Sequence, residues 1–170
     1  MFSVRAMELI LEGFRHIGKA GPEARFDYLD EFVTASMFAG IAFLKAGCGP
    51  VHALSFPLGG MYHVPHGESN YALFGKILEL YDEGNPNGEL LRFKQVIARI
   101  LDCTPEEALK ELSMLEEKVL PLKPLRSYGF TQADIRTFPV SVEENQQRLL
   151  TNAYVPMTRE MMERVYRECF

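Results

Sequence analysis

Between Gly47 and Asn70 the chain reads GCGPVHALSFPLGGMYHVPHGESN, and three of its four histidines, His52, His63 and His66, fall in that stretch. No Lys, Arg, Asp or Glu occurs in it before Glu68. Glycine and proline are poor helix-interior residues, costing about 1 and about 3 kcal/mol relative to alanine. The stretch therefore reads as a break between helices, yet it is apolar enough to be buried. Buried backbone must find hydrogen-bond partners. An irregular buried crossing that holds imidazoles at fixed spacing is the first functional lead.

Helical periodicity surrounds this break on both sides. Val4, Met7, Ile10, Leu11, Phe14 and Ile17 share one face of a helix over Phe2–Ile17. A second helix is expected over Glu23–Ala46. Its part from Phe32 to Leu44 carries no charge, which predicts a central helix buried all round. Ala35, Ser36, Ala39 and Gly40 would let a neighbour approach it closely. Pro50–Phe56 reads as a short helix carrying His52, broken by Pro57-Leu58-Gly59-Gly60. Pro65 suits the first turn of the next helix, which runs to about Glu83.

Glu89–Leu101 is amphipathic. Thr104, Pro105 and Glu107 carry the marks of a capped helix start. Thr131 caps a short helix that Pro139 interrupts, Val142–Leu150 reads as helical, and Thr158 opens a last helix that buries Met161, Met162 and Val165. No segment alternates as a strand would. The expected fold class is all-α, an orthogonal bundle of about seven or eight helices forming a single domain over residues 1–170.

Composition narrows the function. Of 170 residues, 47% are hydrophobic and 24% charged, enough for a real core. The net charge of −5 comes with no Lys/Arg cluster, so no nucleic-acid partner is expected. Three widely spaced cysteines, Cys48, Cys103 and Cys169, argue for a reducing compartment. Arg5, Glu8 and Glu12 interrupt the first apolar run, unlike a signal peptide. The prolines, glycines and histidines of the charge-free stretch do not suit a membrane helix. The expectation is a cytoplasmic protein with no membrane partner.

His52 and His66 frame the break as H-x13-H. One reading makes both metal ligands, since neutral imidazole is the commonest side-chain ligand. The other makes one a core histidine and the other a helix-start residue with local hydrogen bonds. A third groups His52, His63 and His66 around one ion.

The wording around the histidines resembles the iron-containing alcohol dehydrogenase family. That family carries a G-x-x-H-x-x-x-H-x-x-G type segment, then P-H-G and an Asn-bearing helix. Here the matching residues are Gly49, His52, Pro57, Gly59, Pro65, His66, Gly67 and Asn70. The resemblance covers essentially the whole chain and implies the family's C-terminal helical domain, of the dehydroquinate synthase-like fold. Within the family the Y-H-V-P-H-G-E-x-N-Y wording is most similar to the branch that acts on 4-hydroxybutyrate.

The resemblance implies a divalent metal, Fe2+ or Zn2+, with His52 and His66 as two of four ligands. It implies NAD or NADP bound through an N-terminal dinucleotide domain that this chain lacks, and oxidation of a short hydroxy-acid or primary alcohol to the aldehyde. The partners it implies are a small-molecule substrate and either further copies of the chain or the missing domain. Phe43, Ala46, Phe56 and Asn70 are the expected substrate or cofactor pocket residues.

Two departures stand out. No D-x-x-x-H pattern precedes His52, so two family ligands are missing and the chain alone is expected to be inactive. The family's second histidine of the segment is Phe56 here, which leaves His63 as the candidate catalytic substitute. The rival class is a non-catalytic helical interaction module derived from the same family.

Overall fold

The computed structural model describes residues 1–170. It contains nine α-helices, two 3-10 helices and no strand. In order these are α1 (Phe2–Ala20), a 3-10 helix (Pro22–Tyr28), α2 (Leu29–Ala46), α3 (Pro50–Tyr62), α4 (His66–Gly84), α5 (Gly88–Leu101), α6 (Ala108–Val119), a 3-10 turn (Leu125–Tyr128), α7 (Asp134–Asn145), α8 (Gln147–Leu150) and α9 (Arg159–Glu168). No single helix is long and apolar enough to cross a membrane. The three cysteines are free thiols.

The chain divides into two compact units. The first comprises Met1–Ala46 and Asn87–Pro121, the second Gly47–Pro86 and Leu122–Phe170.

In the first unit α1 packs against α2, α5 and α6. Its buried residues Ala6, Leu9, Gly13 and Ile17 form one helical stripe, and Leu11 is buried off that stripe. Gly13 admits a close approach: a Cβ there would lie 2.6 Å from the Phe32 ring. Arg99 and Glu8 pair at 2.7 Å between α5 and α1, and Arg15 donates to the Ile100 carbonyl at 2.8 Å. His16 is tied down by Asp27 at 3.0 Å and lies against the Tyr28 ring.

The expectation that α2 is buried all round is wrong. Only Ala35 is buried, and Leu29, Val33, Met37, Ile41 and Leu44 are exposed, Leu44 to 82%. Within its unit α2 packs on α1 and the preceding 3-10 helix, which cover one stripe. The side chains that meet α1 are Phe32, Ala35 and Phe38. An uncharged helix reports its own hydropathy, not the presence of neighbours. The expected helix start at Glu23 is also corrected, because the first turns after Pro22 are 3-10 and α2 begins at Leu29.

The second unit holds the larger core, in which Leu54, Leu58, Leu73, Ile77, Phe138 and Tyr166 are buried together. Tyr166, on α9, donates its hydroxyl to the Leu54 carbonyl at 2.6 Å, so the one polar atom of that ring is satisfied. Arg164 clamps both Glu83 oxygens at 2.6 and 2.8 Å and also reaches Glu168 at 2.7 Å, tying α9 to α4.

Two expected proline breaks do not occur. α3 runs straight through Pro57, Gly59 and Gly60, and α7 runs through Pro139. Each proline forfeits one backbone hydrogen bond. Ala53, Leu54 and Leu58 on one helix, and Phe138 and Val142 on the other, are buried in the core and offset that loss. The Gly47–Asn70 stretch is therefore mostly helix rather than irregular chain.

The real stop is His63, whose left-handed backbone (φ 54°) ends α3. Histidine is among the non-glycine residues enriched in that region. Val64, buried, returns its N–H to the Leu58 carbonyl at 3.4 Å. Pro65 then caps α4, which starts at His66.

Candidate metal centre

α3 and α4 pack side by side in the second unit. His52 is the third residue of α3 and His66 the first of α4. Their imidazoles meet with ring centroids 5.2 Å apart and planes inclined by 46°. The short link through His63, Val64 and Pro65 is what folds the second helix start back beside the first.

Hydrogen bonds fix the surroundings. Asn70, one turn along α4, places its Nδ2 3.1 Å from His66 Nε2. Ser55 places its hydroxyl 2.6 Å from Asn70 Oδ1 and 3.0 Å from the His52 carbonyl. Ser55 is buried, His52 half-buried and His66 exposed. Burial holds the His52 imidazole below the ordinary histidine pKa, and the neighbouring His66 pushes in the same direction. Both effects favour the uncharged imidazole, the form that can donate a lone pair to a cation.

Two neutral nitrogen donors suit ferrous iron or zinc, so the residues present fit part of a metal site. They do not complete one. No group of three His, Cys, Asp or Glu side chains converges anywhere in the chain. That overturns the grouping of His52, His63 and His66 around one ion. Glu68 lies only two residues from His66, but its Oε1 is taken by Lys123 at 2.8 Å and by the Tyr128 hydroxyl at 2.9 Å.

His63 is exposed at the end of α3. Phe43 and Ala46, both exposed, end α2 in the first unit. Phe56 lies one turn beyond His52 and lines a groove of about 390 Å³ with Pro57, Met61, Phe138 and Val142, a groove whose walls include neither imidazole. Asn70 does join the histidine pair. Ser55 was not anticipated from the sequence. Its signal was its place three residues after His52, on the flank of a helix whose neighbours Ala53 and Leu54 are apolar.

The whole chain, residues 1–170, matches the model of the Fe-containing alcohol dehydrogenase family, C-terminal. It is 49% identical over 170 residues to the 4-hydroxybutyrate dehydrogenase of Clostridium kluyveri, covering 100% of this chain and 46% of that protein. It is 27% identical to long-chain-alcohol dehydrogenase 1 of Geobacillus thermodenitrificans, over 99% of this chain and 43% of the relative. Among solved structures, an archaeal halo-thermophilic alcohol dehydrogenase from a Red Sea brine pool superposes with a TM-score of 0.85 at 19% identity, covering 99% of this chain and 44% of that one. At that identity the likeness concerns the fold. The chain spans less than half the length of these relatives.

Proposed function

We propose that this chain, which belongs to the Fe-containing alcohol dehydrogenase family, supplies two metal ligands, His52 and His66, to an NAD(P)-dependent alcohol dehydrogenase acting on 4-hydroxybutyrate or a similar short hydroxy-acid. The observation that carries this reading is the convergence of the two imidazoles at 5.2 Å from different helices. The 49% identity to a 4-hydroxybutyrate dehydrogenase over all 170 residues supports the substrate class.

A divalent metal bound here would supply Lewis-acid polarisation of the alcohol oxygen. The chain's own part is to hold donors. Desolvation favours the unprotonated form of His52, and the α3–α4 packing fixes the spacing of the two rings. Hydride transfer needs a nicotinamide site, and this all-helical chain has no strand from which a dinucleotide fold could be built. The remaining ligands and the nicotinamide site come from residues outside the 170, and the working compartment is the cytoplasm.

Calorimetric titration of the chain with Zn2+ tests the donor pair. A weak single site is expected, abolished by His52→Ala and by His66→Ala. Binding that survives both substitutions overturns the assignment. With NAD and 4-hydroxybutyrate added, absorbance of the reduced cofactor should not rise, and sustained turnover by the 170 residues alone would overturn the division of the site.

A further inference from the structure

We infer that Ser55 and Asn70 are positioning residues that fix the tautomer of His66, holding its Nε2 as an unprotonated donor beside His52. The tautomer follows from the chain's own hydrogen bonds. Its functional consequence rests on the reading of His66 as a metal ligand.

The argument starts at the shortest contact. Ser55 Oγ and the Asn70 side chain are 2.6 Å apart. That lies within the range of O–H···O bonds, about 2.5–3.0 Å, and below that of N–H···O bonds, about 2.7–3.2 Å. Oxygen, not nitrogen, of the Asn70 amide therefore faces the serine. The serine has one proton to give. Given to Asn70 Oδ1, it is not available to the His52 carbonyl at 3.0 Å, which remains a weaker alternative. Ser55 is only 1% exposed, so water does not compete for it.

With Oδ1 turned to Ser55, the Asn70 –NH2 is the group that meets His66 Nε2 at 3.1 Å. An amide nitrogen donates and cannot accept. Nε2 must therefore present its lone pair, and the proton of the neutral ring sits on Nδ1. A serine hydroxyl on α3 thus reads through an amide on α4 to decide which nitrogen of His66 is free. The device also links the two helices that carry the imidazole pair. Asn70 occupies the lone pair without protonating it, so that the nitrogen would be open to a cation once the amide turned away. The family resemblance implies a pocket role for Asn70; these contacts give it a more specific task.

The experiment is nitrogen-15 NMR of the histidine rings in the metal-free 170-residue chain, at about pH 8, above the ordinary imidazole range. His66 is expected with Nδ1 protonated and Nε2 bare. Asn70→Ala and Ser55→Ala should move the Nε2 resonance towards the protonated position, and Ser55→Thr, which keeps the hydroxyl, should restore it. A wild-type His66 protonated at Nε2 overturns the inference even if a variant fails to fold. So does a tautomer unmoved by Asn70→Ala in a chain whose circular dichroism is unchanged. Zn2+ is then added to the wild type, and the Asn70 side-chain amide signals should shift with those of His52 and His66. If the tautomer is as expected but Zn2+ moves none of these signals, the metal reading fails and the tautomer assignment stands.

Discussion

Glu116, on α6, is the carboxylate most at odds with its surroundings. Burial alone raises its pKa from an ordinary 4.5 to about 7. Between those values the folded state binds more protons than the unfolded one, so stability falls as pH rises. The penalty is absent below about pH 4.5 and complete above about pH 7. Glu116→Gln, which cannot ionise, should therefore raise stability at about pH 8 by at most about 3 kcal/mol and leave it little changed at about pH 4.5. Urea denaturation of both proteins at the two pH values checks this. An equal effect at both would mean that desolvation does not govern the group. His63 makes the complementary point about single residues. Its positive φ is a backbone duty at the end of α3, and a residue placed by such a duty need not be placed for chemistry.

At the scale of elements, the packing between α1 and α2 depends on the missing side chain of Gly13. A Cβ there would meet the Phe32 ring at 2.6 Å. Gly13→Ala should therefore destabilise by about 1–3 kcal/mol despite alanine's better helix propensity. Gly75, in the interior of α4 with nothing within 4 Å of its would-be Cβ, should do the reverse and gain about 0.5–1 kcal/mol as alanine. Thermal melts of the pair separate packing from propensity, and the same sign for both would contradict the geometry.

The same contrast explains what could be read ahead of the structure. Signals local to one turn were legible. Thr158 accepts the Met161 N–H at 3.3 Å as expected of a cap; Thr104 is not the cap expected of it, because α6 begins only at Ala108, although Glu107 accepts the Thr104 N–H at 3.0 Å. The pairing of His52 with His66 is implied by the family resemblance, whereas their spacing alone leaves open a core histidine and a helix-start histidine. What failed depended on distant neighbours. Pro57 and Pro139 look like breakers in the sequence because the core that holds their helices together is not visible one helix at a time. α2 looks buried in the sequence because its hydropathy says nothing of what lies against it. Ser55 went unnoticed because its partner is 15 residues away on another helix.

At the scale of the whole molecule, chain order and structural order differ. Each compact unit is assembled from two separate stretches, so the backbone passes from one unit to the other three times, after Ala46, Pro86 and Pro121. The first unit joins α1 and α2 to α5 and α6, and the second joins α3 and α4 to α7, α8 and α9. A cut at Pro86–Asn87 would leave fragments 1–86 and 87–170, and each would carry half of both units. Neither fragment could bury its apolar faces alone: Leu54 and Leu73 lie on one, Phe138, Met162 and Tyr166 on the other, and all five share one core. The clamp of Arg164 on Glu83 and the pair of Arg99 with Glu8 would also span the cut. A chain carrying an inserted protease site at this loop should therefore elute as one species after cleavage, with its helical circular dichroism retained, and separate only in denaturant. Hydrophobic burial is proportional to area and indifferent to backbone continuity, so the nick costs mainly the entropy of holding two chains together. Fragments that part under native conditions, each still helical, would show that the units are drawn along the wrong boundaries.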